Sequence, residues 1–152
     1  MFKRLWRSDT APTAPSGDGP TAVLVGHCGF DSGGLTRVLR DALPGVQVES
    51  ARSLDALERF ADAGALLLVN RVPEGNFGGR DGVELIRHLT QRTAESQTEP
   101  GDDAKAEPSA ILISNYADAQ AQAEAVGAKP GFGKSEMNTP QARQRLLDAV
   151  QA

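Results

Sequence analysis

Five residues of this chain stand where chemistry could be done: Gly26, His27, Asn70, Ser114 and Lys134, each just after a short apolar run. A hydroxyl, an ammonium, a carboxamide and an imidazole gathered in one place could hold an anion by hydrogen bonds. Lys134 is expected to have no carboxylate beside it and to bond strand-end carbonyls or the Asn70 side-chain oxygen. His27-Cys28 invites a base–nucleophile pair or a metal site. Neighbours on extended backbone point to opposite sides, however, so a base and its nucleophile are badly placed there. Cys28 is the only cysteine, and the second histidine, His88, falls in a helical pattern, so a soft metal site lacks ligands. No metal and no cofactor are expected.

The glycines do not cradle a nucleotide. Gly26, Gly29, Gly33 and Gly34 miss the spacing of the dinucleotide fingerprint, and Gly133-Lys134-Ser135 lacks the upstream glycine of a phosphate loop. Gly75, Gly78 and Gly79 point instead to a mobile loop. No enzymatic activity is expected.

The elements that would position these residues alternate regularly. Ala22 to Val25 reads as a buried parallel strand, and Leu35, Val38, Leu39 and Ala42 as a helix stopped by Pro44-Gly45. Asp31 is placed as the cap of that helix, ahead of Ser32. Val46 and Val48 suggest a peripheral second strand; Ser53 caps a helix with Leu54, Leu57 and Phe60 on its apolar face. Ala65 to Val69 is the most apolar run and the expected central strand. Val83, Leu85, Ile86 and Leu89 mark helix three, Ile111 to Ile113 strand four, and Ala119 to Val126 an Ala-rich helix four ended by Gly127. A weak fifth strand surrounds Phe132, and Ala142, Leu146, Leu147 and Val150 line the last helix. Five strand–helix repeats with short connections imply a parallel sheet covered on both faces. In such sheets ligands bind beyond the carboxyl ends of the strands, where strand order reverses.

The order of these signals resembles the response-regulator receiver domain of the CheY-like superfamily, over Ala22 to Ala152. Ile113-Ser114-Asn115-Tyr116 resembles the family's strand-four ending. Gly127 to Lys134 has the spacing of its Gly-Ala turn, fifth strand and lysine, and Asp81-Gly82 resembles the pair opening helix three. The resemblance implies a three-layer α/β sandwich with strand order 2-1-3-4-5 (flavodoxin-like, CheY-like). It also implies where the chemistry is missing. Gly26 and His27 stand at the family's Mg²⁺-binding acidic pair, Asn70 at its phosphate-accepting aspartate, and Gly131 at its switch aromatic, with Phe132 expected to be buried next door. Ser114 and Lys134 are kept, while Ser135 replaces the usual proline. An uncharged carboxamide is a poor nucleophile and a poor ligand for a hard cation. The resemblance therefore points to a degenerate receiver acting by protein–protein contact, through helix four, strand five and helix five, with a homodimer as one option. An alternative is a sensor that binds a small anion at the strand-end mouth.

Composition sets the outer bounds. The chain has 152 residues, 39% hydrophobic and 5% aromatic, enough for one aliphatic core. A net charge of −4 gives no case for nucleic-acid binding. No run is apolar enough to span a bilayer, and the lone cysteine suits a reducing cytoplasm. Residues 1–20 are expected to be a tail and linker: basic and partly apolar over Met1 to Arg7, then rich in Pro, Gly, Ser, Thr and Ala. Residues 21–152 form the domain, with a polar loop over about 93–108.

Overall fold

The computed structural model describes residues 19–97 and 109–151. Five strands and five helices alternate: β1 (Thr21–Val25), α1 (Gly29–Ala42), β2 (Gln47–Ala51), α2 (Leu54–Asp62), β3 (Leu66–Asn70), α3 (Gly82–Gln97), β4 (Ser109–Ile113), α4 (Ala117–Ala125), β5 (Lys129–Phe132) and α5 (Pro140–Gln151). The strands form one parallel sheet, as the sequence pattern implied, in the order β2-β1-β3-β4-β5 that the family resemblance implied.

Alternation along the central strands splits the core in two. Val23, Val25, Leu67, Val69 and Leu112 face one way, against Leu57 of α2, Leu85 and Leu89 of α3 and Ala123 of α4. Leu24, Leu66, Leu68, Ile111 and Ile113 face the other, against Leu35 and Leu39 of α1 and Leu146 of α5. β3 is buried along its whole length because it is central and covered on both faces. Each fully buried leucine contributes roughly 1.5–3 kcal/mol relative to an exposed one, so this aliphatic core holds the strand ends firmly in place.

Several boundaries differ from expectation. α1 starts at Gly29, and Cys28 is its cap, its Sγ accepting from the Asp31 amide at 3.5 Å. Asp31 is thus not the cap but lies in the first turn, where a carboxylate favours the positive end of the helix. α3 continues to Gln97 because Thr93 is buried and returns its hydroxyl to the Leu89 carbonyl, so the polar segment begins later than residue 93. The rest of that loop, 98–108, and tail residues 1–18 lie outside the described residues. Pro20 belongs to the sheet, since its carbonyl accepts from Gln47 N at 2.9 Å.

Candidate functional site

The parallel strands deliver the residues after β1, β3, β4 and β5 to one edge. After β1 the chain turns at Gly26, with φ +71°. A side chain there would strike Pro73 and Glu74, so the close approach of the β3–α3 loop requires glycine. That loop is anchored along its length, contrary to the mobile segment expected from its glycines. Glu74 N donates to Gly26 O, Asn76 N to Arg52 O and Leu54 N to Asn76 O, while Phe77 is buried in the core. Glu74 also lines the mouth pocket, as the one carboxylate in its wall.

His27 turns inward. It is 2% exposed, and its Nε2 lies 2.8 Å from the Leu68 carbonyl, which can only accept, so Nε2 carries the proton. Nδ1 is buried without a partner. Burial above all, and then the Lys134 charge, push the His27 pKa down to about 4 against the Leu68 bond, which favours the charged form. His27 is therefore neutral at pH 7 and plugs the sheet end. Cys28, as the helix cap, faces a different task, and no base–nucleophile pair forms.

Asn70 ends β3, 7% exposed. Its Nδ2 donates to Gly26 O and to Val72 O, both at 3.0 Å. Both neighbours are carbonyl oxygens and can only accept, which fixes the amide orientation. The position is built for a group that donates two hydrogen bonds. A carboxylate cannot do so.

Lys134 opens a short 3-10 turn, Lys134–Glu136, after β5. Its Nζ lies 2.7 Å from Asp31 Oδ2, correcting the expectation that Lys134 lacks a carboxylate and bonds carbonyls or Asn70. The hydrogen bond from Lys134 holds the Asp31 carboxyl below its usual range. Ser114 is buried, and its Oγ accepts from Tyr116 N at 3.1 Å, which leaves its own proton to give. Asn115 Oδ1 accepts from Ser135 N at 3.1 Å and from Ser135 Oγ at 3.0 Å, a role that a proline without an N–H could not fill.

Gly131 is buried under α4. The pairing runs from Ile111↔Lys129 to Ile113↔Phe132, so β5 carries one extra residue around Pro130-Gly131, a bulge on an edge strand where proline is tolerated. A side chain at Gly131 would strike the Leu112 carbonyl and meet Gln120 Oε1. Gln120 fills the space: its Nε2 donates toward Leu112 O, Ser114 O and Phe132 O at 2.9, 3.0 and 3.3 Å. Phe132 is buried on the opposite face, against α1 and α5, as expected.

Asn70, Ser114 and Lys134 thus line one pocket of about 330 Å³ with Arg71, Val72 and Tyr116, while His27, Gly26 and Gly131 lie beneath or beside it. The Arg71 guanidinium stacks on Tyr116, 4.8 Å from the ring centroid. Two exposed large apolar side chains line the same mouth, Val72 at 60% and Tyr116 at 62%. Sequence reasoning missed Asp31 as the Lys134 partner, Gln120 as a clamp, and the Arg71–Tyr116 stack. Tyr116 carried a signal, standing two residues after Ser114. Gln120 carried none, being one of several Gln in an Ala-rich run.

No protein-family model matches the sequence, and no curated protein matches it. Solved structures do match in fold. The non-phosphorylated receiver domain of the stress response regulator RcsB from Escherichia coli superposes with a TM-score of 0.62 at 15% identity, covering 88% of this chain and 94% of that one. The signal receiver domain of a DNA-binding response regulator (merR) from Colwellia psychrerythraea gives 0.59 at 18% identity, covering 89% and 100%. NtrX from Brucella abortus gives 0.58 at 18% identity over 88% of this chain but only 27% of its own length. At these identities the likeness shows the fold alone, and the function has to be argued from the site.

Proposed function

We propose that this chain is a receiver-like signalling or adaptor module that binds another protein and works without phosphoryl transfer. The observation that carries this reading is the Asn70 amide, which spends its Nδ2 on two backbone carbonyls. An aspartate at that position would set its charge against both oxygens. The metal that active receivers need finds no seat either. Mg²⁺ prefers carboxylate oxygens, yet the first-strand positions hold Gly26 and a buried neutral His27, and Asp31 is taken by Lys134. Gln120 then occupies the space where a switch aromatic would swing, so no mover couples the mouth to α4.

The partner face implied by the resemblance is α4, β5 and α5, with a homodimer as one form of that contact. The exposed apolar groups add the rim formed by Val72 and by Tyr116, which precedes α4, and Arg71 stacked on Tyr116 suits a contact rich in aromatic and arginine residues. Among the described residues no helix is long and apolar enough to cross a membrane. Amide spectra of the full chain test the reading: adding Mg²⁺ and acetyl phosphate should leave Ser114, Lys134 and the α4 amides in place. Shifts spreading from the mouth to α4 would count against it.

A second reading is favoured by one feature, the Arg71 guanidinium, which stacks on Tyr116 and pairs with no carboxylate among the described residues. With Ser114 and Lys134 it could hold a small anion in the mouth pocket. The Asp31 carboxylate on Lys134 weighs against this. Thermal shift against phosphorylated metabolites separates the two: a flat panel favours the adaptor, and a shift abolished by Lys134→Ala favours the sensor.

A further inference from the structure

At the opposite end of the sheet, below the first residues of β1, β3 and β4, lies a groove of about 500 Å³. Its walls are Pro20, Phe60, Ala63, Leu66 and Val150, largely apolar, and its one charged lining residue is Glu49. The Glu49 carboxylate takes a hydrogen bond from Gln47 Nε2 at 3.0 Å and pairs with no cation among the described residues. The groove also lies at the carboxyl ends of α2 and α5, which terminate at Asp62 and Gln151; Lys129 Nζ donates to Ala149 O at 3.2 Å and offsets the α5 end, which leaves the negative end of the α2 dipole. Its volume falls within the range of cavities that bind a small ligand or a large side chain.

The chain itself supplies a fitting occupant. Pro20 lines the groove, and immediately before it come the residues outside the described structure. Their first seven are Met1-Phe2-Lys3-Arg4-Leu5-Trp6-Arg7, which bring four large apolar side chains and three basic ones. The segment between, Ser8 to Asp18, has no large apolar residue of its own and serves as a tether. A tether of that length covers roughly 20 Å on average and gives an effective concentration on the order of millimolar. The entropy of docking is therefore far smaller than for a separate partner.

We propose that Met1 to Arg7 docks intramolecularly in this groove, with Trp6 and its apolar neighbours against Phe60, Leu66 and Val150 and its basic side chains toward Glu49 and the carboxyl end of α2. A buried tryptophan carries 150–250 Å² of contact, about the scale needed to cover the groove floor. This groove lies at the far end of the sheet from the strand-end mouth, so the docked segment and a partner at the mouth do not compete.

Trp6 is the only tryptophan of the chain, so its emission reports the contact directly. The full chain should show blue-shifted Trp6 emission and severalfold weaker acrylamide quenching than a free peptide of Met1 to Arg7. Ala63→Arg places a cation on an exposed groove wall and should return both readings to those of the peptide without changing the circular dichroism. Glu49→Gln should move them part of the way. Emission in the wild-type chain equal to the peptide overturns the proposal. So does a blue shift untouched by Ala63→Arg and Glu49→Gln, one that grows with protein concentration (a second copy as occupant), or one that appears only with anionic vesicles (a lipid surface).

Discussion

Lys134 reaches across the strand ends to Asp31, its Nζ 2.7 Å from Oδ2, so the lysine after β5 is held by the first turn of α1. The pair is partly exposed, Lys134 more than Asp31, and its direct contribution to stability is modest, about 0.5–1 kcal/mol. Its larger effect is on the mouth, where it neutralises the lysine nearest the pocket.

Asp31→Asn should therefore cost little stability and uncover a cation. Inorganic phosphate should raise the thermal midpoint of this variant and leave the wild-type chain unmoved. Equal responses in the two proteins would show that Asp31 does not mask Lys134. The Asp31 carboxyl titrates below its unfolded value, so the stability it brings is present above that value and is lost as pH falls through the folded one.

His27 adds a second acid sensitivity with a separate window. Its folded pKa of about 4 lies below the ordinary histidine value of 6.5, so between these two values the unfolded chain binds the extra proton and stability falls as pH falls. The loss can reach about 3 kcal/mol at the acid end. Denaturant unfolding from pH 7 to 4.5 should show this decline, and His27→Gln, which can still donate to Leu68 O, should flatten it. An unchanged slope in that variant would assign the acid sensitivity to other groups.

Gln120 and Gly131 form a matched pair. Gln120→Ala takes a donor from the Leu112 and Ser114 carbonyls, while Phe132 O keeps Ser114 N, and should cost about 1–3 kcal/mol. Amide exchange should quicken at the start of α4 and in β5. Restoring an aromatic with Gly131→Tyr should destabilise the fold and not recreate a switch, because the added Cβ meets the Leu112 carbonyl. A stable Gly131→Tyr variant whose ring moves with ligand would contradict the clamp.

The architecture was legible from the sequence for a simple reason: buried parallel strands are short apolar runs, and Leu66 to Val69 or Ile111 to Ile113 admit little else. The strand-end residues followed, since a parallel sheet delivers every strand end to one edge. What escaped was side-chain partnering. Asp31 has the residue type of a helix cap, and only the structure reveals Cys28 in that place and the carboxylate free to take Lys134. Gln120 is indistinguishable in sequence from Gln122 on the same helix, yet one is turned inward by three carbonyls and the other faces solvent. The loop from Arg71 to Asp81 looked loose because of its glycines, which instead permit the tight turns that fold it onto Gly26 and Arg52.

The amide at Asn70 makes the sharpest prediction. Asn70→Asp, the change that restores a phosphate-accepting side chain, should destabilise the fold by about 1–3 kcal/mol, because the carboxylate faces the Gly26 and Val72 carbonyls at hydrogen-bond distance. An Asn70→Asp variant as stable as the wild type, or more so, would show that the site is not built around a donor.

The central claim is tested most directly by intact-mass measurement of the wild-type chain after incubation with Mg²⁺ and acetyl phosphate, beside a phosphorylation-competent receiver as control. The account predicts the control gaining one phosphoryl group and this chain gaining none. A stable phosphoryl adduct mapped to the strand-end mouth, on Asp31, Glu74 or Ser114, would contradict it.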